Sequence, residues 1–337
     1  MSINTAVKAF GILSITAMVA CGGSGSNPVT GGDSDDDVVT DPGTDPNASL
    51  TNAAFLFDPS KNLVANRFDF TPGATPGTGT ITINNLPFDG VSSEGGAYTP
   101  RPGVVLPNGE VYQNTPNSSA EDQYYAVVLT SPTTGTGALV GAVATNAYRG
   151  SGYGGAYASR PEGAKLPPTQ AATYQYTGTY NGIRVLRQQE DIGATNAIQL
   201  TTGKAEINID LQDFDLTGAI RGQIIDRRLF DLDGNEISVA GRGLGRIGLV
   251  ITNLNPDTLM TESDSTNPGT TNTRNLDNSF AQTGTWNGMV SGPNGEEVAG
   301  FLVVEGQLSD FDPNYDSDTT RDPVTGRETG GFITSRP

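Results

Sequence analysis

The chain has 337 residues, with 37 acidic and 19 basic side chains for a formal charge of -18, and it holds one cysteine and no histidine. That acidity repels nucleic acid and anionic lipid headgroups, and the missing imidazole excludes Ser/His/Asp and Cys/His catalysis, His-based zinc sites and His-ligated haem. Charged residues make up 17% against an average near 25%, while Gly and Pro together reach roughly 19% where about 12% is usual, so short strands joined by turns are expected and the fold class is read as all-β.

Lys8 precedes a short apolar run from Ala9 to Ala20 that ends in small residues, the pattern of a signal peptide over residues 1–20 and too short to stop in a bilayer. The run closes on Met18-Val19-Ala20-Cys21-Gly22. This resembles the bacterial lipobox, in which the cysteine is acylated and becomes the mature N-terminus, although Met18 stands where Leu is usual. Cys21 is therefore the expected lipidation site, and acyl chains at about 0.8 kcal/mol per buried CH₂ would anchor the mature protein without spanning the membrane. A lone cysteine also rules out an intramolecular disulfide.

Residues 21–49 read as an acidic flexible linker. Asp33, Asp35, Asp36, Asp37, Asp41 and Asp45 stand among Gly, Ser, Thr and Pro with no basic residue, so the segment has too little apolar surface to fold and its charges repel.

Between residues 50 and 165, short apolar or alternating runs at Ala53 to Phe57, Thr80 to Ile83, Gly109 to Tyr112, Tyr124 to Leu129 and Ala138 to Ala144 are separated by turn chemistry such as Pro107-Asn108-Gly109. They predict a small β-rich, handle-like region. Its least ordinary stretch places Tyr148, Tyr153 and Tyr157 among Gly150, Gly152, Gly154 and Gly155. Tyrosines offer amphipathic contact area and glycines let a backbone adapt, which makes these three the candidate ligand contacts. The competing reading is an edge hairpin whose tyrosines pack on their own region.

From residue 166 to 337 the alternation is regular. Tyr174, Tyr176 and Tyr180 oppose Thr173, Gln175, Thr177 and Thr179; Ala205, Ile207 and Ile209 oppose Glu206, Asn208 and Asp210; Ile220 and Ile224 oppose Arg221 and Gln223; Trp286 and Val290 oppose Thr285, Asn287 and Met289. About eight such strands close an antiparallel barrel filled by its own side chains, with Trp286 buried, and this region is expected to fold alone. Glycines at Gly178, Gly222, Gly288 and Gly300 suit barrel corners. Alternation also fits an outer-membrane barrel, but aromatic girdles are lacking and a lipid anchor would be redundant there, so a water-facing barrel on a tether is preferred.

Several segments together resemble the eight-stranded barrel domain of transferrin-binding protein B and related bacterial surface lipoproteins. They are Ala172 to Gly182, Thr202 to Phe214, Thr217 to Gly222, Gly284 to Gly288, and the Gly292-Pro293-Asn294-Gly295 turn with Glu296, Glu297 and the strand opening Ala299-Gly300-Phe301. The resemblance implies a lipoprotein on the outer membrane of a Gram-negative bacterium, facing the cell surface, where it captures a nutrient-carrying protein or haem and passes iron or haem to a TonB-dependent receptor. One barrel with one short upstream region replaces two full lobes, so transferrin itself is not implied. Relatives that bind complement regulators, and a structural or adhesive envelope role, are the alternatives. No cofactor is expected, and haem as a ligand would fall to tyrosine, with Tyr174 also in reach.

The remaining motifs carry little chemistry. Gly243 to Gly248 matches G-x-G-x-x-G but precedes a strand where a dinucleotide site needs a helix. Asp231 to Glu236 reads as a hairpin turn and not a calcium loop. Asp310, Asp312, Asp316 and Asp318 read as solvated surface, since Tyr315 and Arg321 stand where a calcium loop needs Gly and Glu. Glu296 and Glu297, as strand neighbours, point to opposite faces and do not form an acid/base pair. No catalytic constellation emerges, and a non-enzymatic binding protein is expected ahead of a hydrolase working through carboxylates.

Overall fold

The computed structural model describes residues 52–58, 63–64, 67–73, 78–84, 97–101, 103–104, 106, 109–114, 125–131, 137–145, 154–168, 173–187, 198–212, 217–320 and 322–337. Cys21, the acidic linker, Tyr148 and Tyr153 lie outside the described residues. Among the described residues there is no helix, and the fold is all-β.

The upstream strands are β1 (Ala53–Phe55), β2 (Phe57–Asp58), β3 (Leu63–Val64), β4 (Arg67–Thr71), β5 (Thr80–Asn84), β6 (Ala97–Pro100), β7 (Gly109–Asn114), β8 (Tyr125–Thr130), β9 (Leu139–Ala144) and β10 (Gly154–Ser159). Eight of them form one antiparallel sheet in the order β1-β10-β9-β8-β7-β6-β5-β4, and β2 pairs with β3. The sheet curls until its far strands meet. Phe68 of β4 lies against Tyr157 of β10, their rings stacked with centroids 5.4 Å apart. A Cβ on Gly141 would run into the Phe68 ring, so the glycine makes the closure possible. The inside of the curl holds Ile81, Ile83, Tyr98, Tyr112, Val128 and Val143.

The second body comprises β11 (Thr173–Arg187), β12 (Ile198–Asp210), β13 (Ile220–Phe230), β14 (Arg246–Leu254), β15 (Thr261–Glu262), β16 (Thr270–Arg274), β17 (Phe280–Ser291), β18 (Glu297–Gln307) and β19 (Thr325–Ser335). Strand order runs β13-β12-β11-β19-β18-β17-β16-β14, and β13 pairs again with β14 through Ile220↔Thr252 and Ile224↔Ile247. That pairing closes an eight-stranded antiparallel barrel, with β15 appended to β14. Eight strands leave an interior that side chains can fill. Tyr176, Ile207, Ile224, Ile247, Leu302 and Phe332 fill it, as does Trp286, which is 3% exposed and donates its indole N–H to the Val250 carbonyl at 2.9 Å.

The barrel buries two faces on one side and one face on the other. Residues 180–186 of β11 and 297–304 of β18 are buried without interruption because the upstream sheet covers them. Val127, Leu129, Val140, Ala156 and Ala158 meet Ile183, Val185, Leu200, Phe301 and Ile333 in one apolar cluster. Arg160, at the exit of β10, ties this contact by donating to the carbonyls of Leu259, Val290 and Thr258. Away from the sheet the outward positions are polar: Thr173, Gln175, Thr177, Arg221, Arg246, Thr283 and Thr285 are all exposed. A barrel facing lipid would carry an apolar band there, and these seven side chains do not form one.

Burial pushes the phenols of Tyr112, Tyr176 and Tyr180 upward, helped by Glu110 at the first and Glu328 at the third. A folded-state value above the unfolded one near 10 means that the folded chain holds protons which the unfolded chain releases, so stability is intact below pH ~10 and falls as pH rises beyond it. At least three of the eleven tyrosines are therefore expected to ionise only together with unfolding. An ultraviolet titration in which all eleven phenolates form reversibly before the near-ultraviolet dichroism changes would contradict this assignment.

Candidate functional site

Antiparallel connectivity gathers four loops at one end of the barrel. Those joining β13 to β14 (231–245), β16 to β17 (275–279) and, but for residue 321, β18 to β19 (308–324) are described, while the β11 to β12 connection (188–197) is not. The three described loops are knitted together. The Gly243 N–H donates to the Phe311 carbonyl at 2.8 Å, the Ser309 hydroxyl to Asn275 Oδ1 at 2.8 Å, and Arg242 to the Tyr315 carbonyl at 3.2 Å.

The 308–324 loop closes the barrel end, which corrects the reading of Asp312 as solvated surface, while Asp310 and Asp318 are exposed as read. Asp312 is buried and pairs with the equally buried Arg184 through both carboxylate oxygens. Asn314 exchanges amide hydrogen bonds with Gln199 at 2.8 and 3.1 Å. Beneath this plug, the buried Glu328 carboxylate accepts from the Tyr180 hydroxyl at 2.7 Å and the Thr201 hydroxyl at 3.0 Å, and it pairs with Arg227. Arg227 also donates to the Gly245 carbonyl at 2.7 Å. The network pairs most of the polar groups that the plugged end takes out of water, although Arg227 Nε is buried without an acceptor, and it fixes the loops above it.

On this fixed base the 275–279 hairpin holds two apolar side chains in solvent. Phe280 is 62% exposed and Leu276 57%, the most exposed large hydrophobics among the described residues. The turn between them is tightly specified. The Asn275 N–H donates to the Ser279 carbonyl and the Asn278 N–H to the Asn275 carbonyl, both at 2.9 Å, while Asn278 takes a left-handed φ of 66° that Asn tolerates better than most residues. The Asp277 carboxylate accepts from the Ser279 hydroxyl at 2.6 Å and from its N–H at 2.9 Å, and these bonds hold its pKa below the ordinary range. The Arg274 guanidinium sits 3.5 Å from the Phe280 ring centroid and donates to the Asn278 carbonyl at 2.9 Å. An exposed aromatic on a rigid turn loses little entropy when it is covered, which is the property of a binding anchor.

The described candidates read from the sequence fall elsewhere. Tyr157 is half-buried and pairs in register with Gly141 and Phe55, and its ring contacts Phe68 and Phe55 at 5.4 and 4.9 Å, so it helps close the curled sheet. Of the barrel tyrosines, Tyr176 donates to the Gly295 carbonyl at 2.9 Å inside the barrel, and Tyr174 lies under Arg336, 5.6 Å from ring centroid to guanidinium. Glu296 accepts from Asn294 at the turn, whereas Glu297 is buried beneath the upstream sheet and accepts from the Ser131 hydroxyl at 2.6 Å, so the two diverge as strand geometry requires. The 243–248 glycine motif enters β14 at Arg246, and Asp231 caps its turn by accepting from the N–H groups of Asp233 and Asn235. Among the described residues no group of three or more Asp, Glu or Cys side chains is placed to hold a metal ion.

No family model matches the chain, and no curated protein matches it. Solved structures similar to it include transferrin binding protein B from Haemophilus parasuis Hp5, at 13% identity and TM-score 0.33 over 76% of this chain. Another is the same protein from Actinobacillus pleuropneumoniae H49, at 12% identity and TM-score 0.32 over 62% of this chain and 79% of that one. A third is intact Ap-TbpB with its N and C lobes, at 12% identity and TM-score 0.31. This chain spans 43% of the first structure and 44% of the third.

Proposed function

We propose that this chain is a non-enzymatic binding lipoprotein of the Gram-negative cell surface, tethered through Cys21 and gripping a soluble protein with the loop end of its barrel. The observation that carries the reading is the hairpin that keeps Leu276 and Phe280 in water on a hydrogen-bonded turn. A monomeric fold gains nothing from that placement, whereas a partner's pocket would gain two apolar anchors already in position. Delivery of a nutrient, iron or haem in particular, to an outer-membrane receptor is what the barrel resemblance adds to this picture.

The test is the Leu276→Ser/Phe280→Ser double variant. Both side chains are exposed, so stability is expected to stay within about 0.5 kcal/mol of the parent for each change. Retention of a soluble protein by cells that display the variant is expected to fall about tenfold or more, since each lost anchor removes roughly 1–2 kcal/mol. Equal retention by parent and variant would remove the rim from the reading. A separate expectation concerns the anchor: Cys21→Ser should abolish incorporation of a fatty-acid label and either release the protein from membranes or leave the signal uncleaved, and undiminished labelling would show that Cys21 is not the acylated residue.

A further inference from the structure

Phe280 stands at the end of a row of side chains on the outer wall of the barrel. Arg246 of β14 lies directly opposite Arg274 of β16, and Arg274 directly opposite Phe280 of β17. Like charges directly opposite on paired strands are destabilising. A single solvated arginine needs no counterion, but two in direct opposition gain from one. Among the described residues no carboxylate pairs with either. Arg246 reaches only Gln223 Oε1, at 3.4 Å, and Arg274 the Asn278 carbonyl and the Phe280 ring. The Glu206 carboxylate on the far side of Gln223 is engaged by Lys204 at 2.7 Å and by Gln223 itself at 2.9 Å, and Asp277 of the hairpin by Ser279. By contrast Arg184, Arg227, Arg228 and Arg327 each have a carboxylate of the fold. A chain with 37 acidic and 19 basic residues thus leaves two facing guanidinium groups unneutralised beside its most exposed aromatic.

Resting on the rim-binding reading above, we infer that the captured protein presents an acidic segment, with a carboxylate seated between Arg246 and Arg274 beside the apolar group that covers Leu276 and Phe280. Guanidinium groups match a carboxylate with parallel N–H bonds. Strands about 4.8 Å apart put the midpoint of the two arginines about 7 Å from Phe280, the distance between alternate residues of an extended chain, so one short segment meets both features. A lysine in that place would set a third cation against the two already there, which disfavours a basic segment.

The experiment uses the full chain in detergent micelles and, as the probe, a random peptide library displayed on phage. Peptides that bind the parent but not Leu276→Ser/Phe280→Ser are retained, and they are expected to carry Asp or Glu close to an aromatic or aliphatic residue. Synthesised singly, they should bind Arg246→Gln about tenfold more weakly, the loss of one charge-assisted contact. Panning on Arg246→Glu should return Lys or Arg where the parent selects an acid. Trp286 bonds to Val250 of the same strand, so its emission reports whether β14 keeps its place in these variants. Raising salt to about 0.5 M tests the same contact in the unaltered chain and should weaken binding several-fold. Rim-dependent peptides with no acidic preference, or with binding indifferent to both Arg246→Gln and salt, would overturn the acidic segment and leave rim binding standing. A panning that returns no rim-dependent peptide would remove rim binding itself, and the acidic segment with it.

Discussion

Glu328→Ala is expected to destabilise the fold by about 3–5 kcal/mol, the range for removing one partner of a buried ion pair. The carboxylate is the common acceptor of Tyr180, Thr201 and Arg227, so its loss strands a guanidinium whose side chain is 3% exposed and whose other partner here is the Gly245 carbonyl. Glu328→Gln should fall between parent and Ala, since its amide oxygen still accepts from the two hydroxyls while the charge is gone. Arg227→Met/Glu328→Leu tests the cause. A well-packed apolar replacement of a buried pair is often neutral, so the double variant should recover most of what Glu328→Ala loses. Urea unfolding measures all three; a cost below about 1 kcal/mol for Glu328→Ala would mean that water reaches the cluster and that the barrel end is not sealed.

That cluster also marks where the sequence stops being readable. Alternation from Ile220 through Ile224 places even-numbered residues inside, so it assigns Arg227 to solvent. A β-bulge intervenes, because Asp226 has φ 52° and the register against β12 shifts between Thr202 and Lys204. One extra residue reverses the parity, and Arg227 turns inward. The barrel itself was legible wherever one face is wet: Tyr176, Ile207, Ile224 and Trp286 lie inside as their spacing requires. β4, β6 and β16 escaped notice because they are short or built from Ala, Thr and Asn, which carry little period-two contrast. Asp312 was misjudged for a different reason. Its loop has the composition of solvated surface, and its partner Arg184 is distant in sequence. Leu276 and Phe280 were visible as residues, but an exposed apolar side chain looks like a core one until the strands on both sides are placed.

Gly331→Val is expected to act on the contact between sheet and barrel. Gly331 lies on the outward face of β19, opposite Asn181 and Phe301, and a Cβ there would overlap the side chain of Val140 on β9. Overpacking a close-fitted core costs typically about 1–3 kcal/mol, and here it acts on the shared cluster that joins the two bodies. Val140→Ala removes the atoms in the way and should restore part of the loss, giving the non-additivity expected of residues in contact. Gly243→Ala is the control, since nothing lies within 4 Å of the added carbon and the change should stay within about 0.5 kcal/mol. The same geometry bears on the barrel as an isolated fragment. Residues 166–337 without the upstream sheet would turn Ile183, Val185, Phe301 and Ile333 out to water as one apolar patch, so the fragment should associate or bind a hydrophobic dye while Trp286, held by the interior, keeps a blue-shifted emission. Loss of the Trp286 shift in Gly331→Val itself would show instead that the barrel interior depends on the sheet, and that the two bodies fold as one cooperative unit.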